Sequence, residues 1–113
     1  MKINVIYPQE KANDKRYVYK LTKARSKAIK ELNDGEILDV EGYCDYEDEN
    51  TKGETNNVLC IIDSEGLTYS TISATFKKSF TDIAEMMGNE KYQIKVVKGT
   101  SKSGRDFVDC ELV

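Results

Sequence analysis

Three features of the sequence predict a mainly β fold with one helix in its second half. Short segments of alternating apolar and polar residues recur along the chain, separated by turns that contain glycine or asparagine. Residues 73–87 carry instead an apolar stripe with helical spacing. The length of 113 residues is that of one domain with one modest core. We therefore expect a single domain, in which residues 1–35 form an N-terminal extension and residues 36–113 form a small barrel.

The predicted strands of the barrel cover residues 37–47, 57–62, 67–72, 92–97 and 107–113. In the first strand four apolar residues share one parity: Leu38, Val40, Cys44 and Tyr46. Gly42 stands among them, and a glycine inside a strand typically marks a bulge. Residues 57–62 are apolar on both parities, as expected for a central strand.

The predicted helix has a well-defined start and end. Ser73 is a suitable N-cap, and Gly88 is a natural stop. Its apolar stripe consists of Phe76, Phe80, Ile83, Ala84 and Met87.

The order of elements from residue 37 onward is β-β-β-α-β-β. This order is that of an OB-fold-like five-stranded barrel with one helix between strands 3 and 4. An SH3-like barrel or an α+β sheet is compatible with the same order. The expected core contains Leu38, Val40, Leu59, Ile61, Val96, Val108 and Leu112, with Phe80 and Ile83 from the helix.

The N-terminal extension is predicted to combine β-structure with a short helix. Residues 2–7 and 17–21 have the composition of short strands, and residues 23–32 have apolar positions on one side of a helix. The following residues 33–35, Asn-Asp-Gly, form a turn.

Charge is strongly segregated in this chain of net charge −3. Residues 11–30 hold eight basic residues and one acid, and residues 91–105 hold five basic residues and no acid. Residues 39–54 hold seven acids and one lysine. An acidic protein with this pattern can still present one basic face to an anionic partner.

Several classes of function are disfavoured. The chain has no histidine, and Cys44, Cys60 and Cys110 lie far apart, so we expect no catalytic residues, no metal site and no cofactor. Residues 99–104 resemble a P-loop only superficially, because Arg105 and Asp106 follow the second glycine. No signal peptide or membrane span is expected, which predicts a protein that stays in the cytoplasm where it is made.

The second half of the chain resembles a known family. The residues that carry the resemblance are Tyr69-Ser70-Thr71-Ile72-Ser73 after Gly66, the run 95–101, Gly104 and Phe107, and upstream Leu32, Asp34, Gly35 and Tyr46. They are similar to the single-stranded DNA-binding proteins of small tailed phages that replicate by protein priming in Gram-positive hosts. The resemblance implies an OB-like fold and sequence-independent coating of displaced single strands, with tyrosines that stack on bases. Tyr46 and Tyr69 fall on binding positions of that family, whereas its further tyrosine has no counterpart in residues 47–55.

Single-stranded DNA binding requires flat side chains under the bases and cations along the backbone. The candidate stacking residues are Tyr46, Tyr69, Tyr43 and Phe107. Phe107 is exposed if Val108, Cys110 and Leu112 face inward, and it belongs to the core otherwise. The candidate phosphate contacts are Lys95, Lys98, Lys102 and Arg105.

A second hypothesis is a non-enzymatic OB-like adaptor that binds a host or phage protein through the acidic residues 39–54. Open stacking tyrosines beside the basic residues 95–105 favour DNA, and buried rings favour the adaptor. For the first hypothesis the partners are single-stranded DNA and phage replication proteins, with no membrane, and the protein is a monomer or weak homo-oligomer.

Overall fold

Two apolar cores lie on opposite faces of one curled sheet in the computed structural model, which describes residues 1–113. The elements are β1 (Lys2–Tyr7), α1 (Lys15–Thr22), β2 (Lys27–Ala28), β3 (Ile37–Glu49), β4 (Thr55–Asp63), β5 (Thr68–Thr71), α2 (Ala74–Met87), β6 (Tyr92–Thr100) and β7 (Asp106–Leu112). Short 3-10 turns cover Gln9–Asn13 and Ile29–Glu31.

The strand β3 organises the sheet, whose order is β2-β5-β4-β3-β6-β7. One edge of β3 pairs with β4. The other edge pairs first with β6, at residues 37–40, and then with β1, at residues 43–47. The prediction of a mainly β fold is confirmed, in the form of a curled, open half-barrel with two helices.

The predicted bulge lies at the point where β3 changes partners. Val40 stands opposite Asp63 and Gly42 opposite Ile62, so β3 contains one extra residue. A Cβ on Gly42 would lie 2.5 Å from the Tyr7 carbonyl oxygen and would also strike the Tyr17 hydroxyl. That hydroxyl donates a hydrogen bond to the Tyr7 carbonyl at 2.8 Å. Glycine is therefore required here to let the N-terminal segment approach β3.

The bulge sends residues of one parity to two different faces of the sheet. Before it, Leu38 and Val40 face the main core, which packs against α2. After it, Cys44 and Tyr46 face the second core, which packs against α1 and β1. One strand thereby contributes to both cores, because the extra residue reverses the alternation of side chains.

The helix α2 agrees with its prediction. The Ser73 hydroxyl accepts a hydrogen bond from the Phe76 N–H at 3.2 Å, and Gly88 ends the helix with φ of 58°. Phe76, Phe80 and Ala84 are buried in the main core. The expected core is largely confirmed, although Ile83 and Val108 are only partly buried against it.

Leu112 is an exception, since it is exposed. It is the last residue of β7, which is the edge strand of the sheet, so nothing covers its side chain.

Two predictions for the N-terminal extension are wrong. Residues 17–21 belong to α1 rather than to a strand, because Asp14 caps that helix by accepting hydrogen bonds from the Arg16 and Tyr17 N–H groups. Residues 23–32 form no α-helix. Instead β2 pairs in parallel with β5, and the side chains of Ile29 and Leu32 enter the main core. Tertiary pairing therefore overrides the local helical pattern.

The three thiols are all buried. Cys44 stands opposite Cys60 in the second core, and Cys110 lies in the main core. Burial raises the pKa of the Cys44 thiol to about 11 and the pKa values of the Cys60 and Cys110 thiols to about 12.

We expect Phe80→Ala to lower the free energy of unfolding by about 3–5 kcal/mol, because Phe80 fills the centre of the main core. Met86→Ala on the same helix is the control, since 80 % of Met86 is exposed. Urea denaturation of both variants measures the difference. Equal unfolding midpoints for both variants and the wild type would contradict the packing of α2 described above.

We expect the folded protein to resist thiol reagents at pH 8 and all three cysteines to react once urea unfolds it. The raised pKa values keep the thiols protonated in the folded state, whereas an unfolded cysteine ionises near 9.0. The resulting contribution to stability is complete below about pH 9 and is lost as the pH rises through the folded-state pKa values. Rapid labelling of the folded protein at pH 8 would show that these cores open readily.

Candidate nucleic-acid interface

Two clefts meet at Phe107, between β7 at one end of the sheet and β2 and β5 at the other. The first, of about 660 Å³, reaches from residues 70–73 across to Phe107. The second, of about 700 Å³, continues from Phe107 along the end of β6. Lys30, Asp106, Phe107 and Val108 line both clefts. We call the combined depression the Phe107 groove.

The tip of the Phe107 ring lies against the backbone of β6. Phe107 stands opposite Gly99 in the register of β6 and β7. Its ring atoms Cζ and Cε2 lie only 2.9 and 3.0 Å from where a Cβ on Gly99 would stand. Because glycine has no Cβ, the ring covers this residue closely, and 39 % of Phe107 remains exposed to the groove. The sequence predicts an exposed Phe107 if Val108, Cys110 and Leu112 face inward; of these three, Cys110 is buried, Val108 is partly buried and Leu112 is exposed.

The floor of the groove is largely apolar with a few hydroxyls. Tyr46 and Val58, which are neighbours across β3 and β4, contribute one part. The exposed side chain of Ile72 contributes another, where β5 leads into α2. Ser70 and Thr71 add small polar groups. Such a surface offers flat apolar contacts with little fixed hydrogen-bonding pattern.

Four cations lie on the groove or at its end: Lys30, Lys98, Lys102 and Arg105. The Lys98 ammonium donates to the Lys30 carbonyl at 2.7 Å, and the Lys98 N–H donates to the Asp34 carboxylate at 2.8 Å. Lys102 and Arg105 lie in the exposed β6–β7 turn. None of the four forms an ion pair, and the carboxylates that line the groove are those of Glu31 and Asp106. The lining itself therefore balances two cations with two carboxylates, and the excess of positive charge comes from Lys102 and Arg105 in the adjacent β6–β7 turn.

The structure places two of the candidate tyrosines in the cores. Only 7 % of Tyr46 is exposed, and its hydroxyl donates to the Thr22 carbonyl at 3.1 Å. Only 8 % of Tyr69 is exposed, and its hydroxyl donates to the Asp63 carboxylate at 3.1 Å. Burial is the main cause that raises the pKa of each phenol to about 12.

The remaining candidates, Tyr43 and Lys95, have other contacts. The Tyr43 ring is stacked on Tyr7 at 5.5 Å between centroids and meets the Phe80 ring edge-on at 5.0 Å. Lys95 forms an ion pair with Glu111 at 3.7 Å. The structure thus brings Tyr46, Lys98 and Phe107 together at the groove. Tyr69, Tyr43 and Lys95 do not line it.

Sequence reasoning missed two residues of the groove. Lys30 closes the basic run of residues 11–30, and that run was the available signal. Ile72 is exposed although it is apolar and follows a strand. Its position directly before the N-cap Ser73 places it outside the sheet pattern, so alternation alone did not identify it.

No three His, Cys, Asp or Glu side chains converge in a way that could hold a metal ion. No helix of the protein combines the length and the apolar character needed to span a membrane.

Comparisons with known proteins agree on one family. The family described as Phage Single-stranded DNA-binding protein matches residues 8–113. The single-stranded DNA-binding proteins of Bacillus phage phi29 and Bacillus phage PZA are each 30% identical to the chain over 91 residues, which is 75% of this chain and 73% of each relative. No solved structure gives a significant match. The chain belongs to the phage single-stranded DNA-binding protein family.

Proposed function

We propose that this protein binds single-stranded DNA in the Phe107 groove without sequence preference and coats displaced strands during phage DNA replication. The main supporting observation is the partly exposed Phe107 ring, which lies against Gly99 beside cations without ion-pair partners. The relatives in two Bacillus phages are named for single-stranded DNA binding, which supports the same ligand for this chain.

The chemistry of the groove explains why it would accept any base sequence and why it would prefer single strands to a duplex. Every base has a π-face, so a flat ring such as Phe107 stacks on any base and contributes about 1–3 kcal/mol. In a duplex these faces are covered by neighbouring base pairs, which makes them available only in single strands. The cations Lys30, Lys98, Lys102 and Arg105 bind phosphates, which are present at every step.

The sheet supports an OB-like interpretation of the fold. The order β5-β4-β3-β6-β7 is that of an OB sheet opened between β5 and β7, with α2 between the third and fourth of these strands along the chain. The groove occupies this opening. We propose that residues 36–113 are an OB-like barrel left open for the ligand and that residues 1–35 extend it within a single domain.

We propose a binding role without catalysis, in the cytoplasm of the host cell. Its further partners would be the phage replication proteins that generate and use displaced strands. Continuous coverage of a strand needs only a monomer or a weakly associating protein, since the strand itself aligns successive copies.

One observation favours the alternative of a protein-binding adaptor. The rings of Tyr46 and Tyr69 are buried, and acids concentrate in residues 39–54. An adaptor would not bind oligo(dT) in the groove, whereas the proposed function requires it. Stacking by Tyr69 and Tyr43 stays a prediction, and we propose that Phe107 is the main platform, with Tyr46 beneath the groove.

We expect Phe107→Ala to weaken binding of labelled oligo(dT) by about 1–3 kcal/mol, the contribution of one stacked base. Phe107→Tyr should bind nearly as well, because it keeps a flat ring. Gly99→Ala should weaken binding too, since its Cβ would displace the ring. Fluorescence anisotropy measures the affinity, and Met86→Ala, at the far end of α2, is the control.

Wild-type affinity of Phe107→Ala would show that the groove is not the binding site. Tyr69 is tested in the same titration. If its ring reaches a base, folded Tyr69→Ala binds weakly and Tyr69→Phe binds normally. If the Tyr69→Ala variant folds and binds oligo(dT) like the wild type, Tyr69 has only a structural role in the core and does not stack on a base.

We expect affinity for oligo(dT) to fall as salt rises, because each neutralised phosphate releases counterions, with a slope of about −0.7 for each phosphate bound. Neutralising Lys102 and Arg105 with glutamine should reduce this slope, whereas Phe107→Ala should not. Lys78→Gln with Lys91→Gln removes the same charge elsewhere and should leave the slope unchanged. Equal affinity for duplex and single strands would contradict the proposed function.

A further inference from the structure

A second basic surface lies outside the Phe107 groove, on α1 and the segment that follows it. Residues 15–30 contain seven basic residues and no acid, although the whole chain has more acids than bases. All seven side chains are exposed: Lys15, Arg16, Lys20, Lys23, Arg25, Lys27 and Lys30. Only Lys23 forms an ion pair, with Asp48 at 3.2 Å.

This concentration of charge does not help the protein to fold. Lys15 and Arg16 occupy the first turn of α1, where the helix dipole favours acids, and that turn contains none. The packing of α1 depends instead on Tyr17, Val18 and Leu21, which face the second core. Lys15 and Arg16 oppose the dipole, whereas Lys20 in the last turn agrees with it. Seven cations that repel one another are better explained by an anionic ligand than by the packing of the helix.

An exposed aromatic ring lies within the same surface. Tyr19 is 61 % exposed, although α1 offers an apolar core on its other side. Lys15 and Lys23 lie four residues away in either direction, so both flank Tyr19 on one face of the helix. A flat ring between cations is the arrangement that single-stranded nucleic acids require, since it serves a base and its phosphates together.

The basic surface is continuous along the chain with the groove. The Thr22 carbonyl at the end of α1 accepts the hydrogen bond of Tyr46, which lines the groove. From there the chain passes Arg25 and Lys27 to Lys30 on the groove rim. Since β2 is fixed to β5 by strand pairing, this segment has a defined position beside the groove.

We propose that a single strand leaving the Phe107 groove continues over β2 and α1, where Arg25 and Lys27 contact its phosphates and Tyr19 stacks on one of its bases. This inference rests on the proposed function, because it extends the same ligand. It predicts that the length of strand bound by one protein exceeds what the groove alone holds.

The test compares a short oligo(dT) of about 5 nucleotides with a long one of about 20, since an OB fold covers about 4–16 nucleotides. Tyr19→Ala should weaken binding of the long strand about 5- to 150-fold and leave the short strand unaffected. Arg25→Gln with Lys27→Gln should reduce the salt slope on the long strand by about 0.7 for each phosphate that is no longer neutralised. Lys78→Gln with Lys91→Gln is the matched charge control, and circular dichroism verifies the fold.

Unchanged affinity of the Tyr19 variant and of the Arg25 and Lys27 variant for both strands would overturn the inference and leave an acidic protein as the occupant of this surface. Equal losses on both strands would also overturn it, since α1 would then act through the groove. Phe107→Ala separates the two proposals. If it binds the short strand normally, the proposed groove fails, whatever the Tyr19, Arg25 and Lys27 variants do.

Discussion

The absence of a side chain at Gly42 is the constraint on which the rest of the structure depends. The Tyr7 carbonyl and the Tyr17 hydroxyl occupy the space that a Cβ would need. Their approach brings β1 and α1 against β3, and the bulge at the same place turns Cys44 and Tyr46 toward them. One missing carbon therefore permits a second core on the face of the sheet that α2 leaves uncovered.

The second core also determines which aromatic rings are free to meet a ligand. Tyr46 is held beneath the groove by its hydrogen bond to Thr22, and Tyr43 is held between two other rings. Phe107 is not held by such contacts, because it lies on an edge strand, opposite a second glycine. The two glycines have complementary effects: Gly42 allows chain segments to cover the sheet, and Gly99 allows one ring to lie on it and stay open.

Most of the fold after residue 36 could be predicted because its signals are local. Alternation defined the strands, Gly42 indicated the bulge, and Ser73 and Gly88 bounded α2. The N-terminal extension could not be predicted, since β2 exists only through its pairing with β5 and Tyr17 owes its helical setting to the Asp14 cap.

The candidate site was predictable in part for the same reason. Phe107 and Lys98 follow from strand parity and local charge, and both line the groove. The burial of Tyr69 depends on the main core and on Asp63, which no local pattern specifies. The bulge also placed Tyr46 on a different face from Leu38, although both residues have the same parity.

The separation of charge explains how a protein with a net negative charge can attract DNA. The acids of residues 39–54 belong mainly to β3 and its turn into β4, whereas the cations of residues 15–30 and 98–105 lie on α1, β2 and the β6–β7 turn. Attraction to a polyanion depends on local fields, because salt screens charges beyond about 8–10 Å. The acidic hairpin repels phosphates that approach from its own side. A strand is thereby guided toward the surfaces that combine cations with an exposed ring, at Phe107 and at Tyr19.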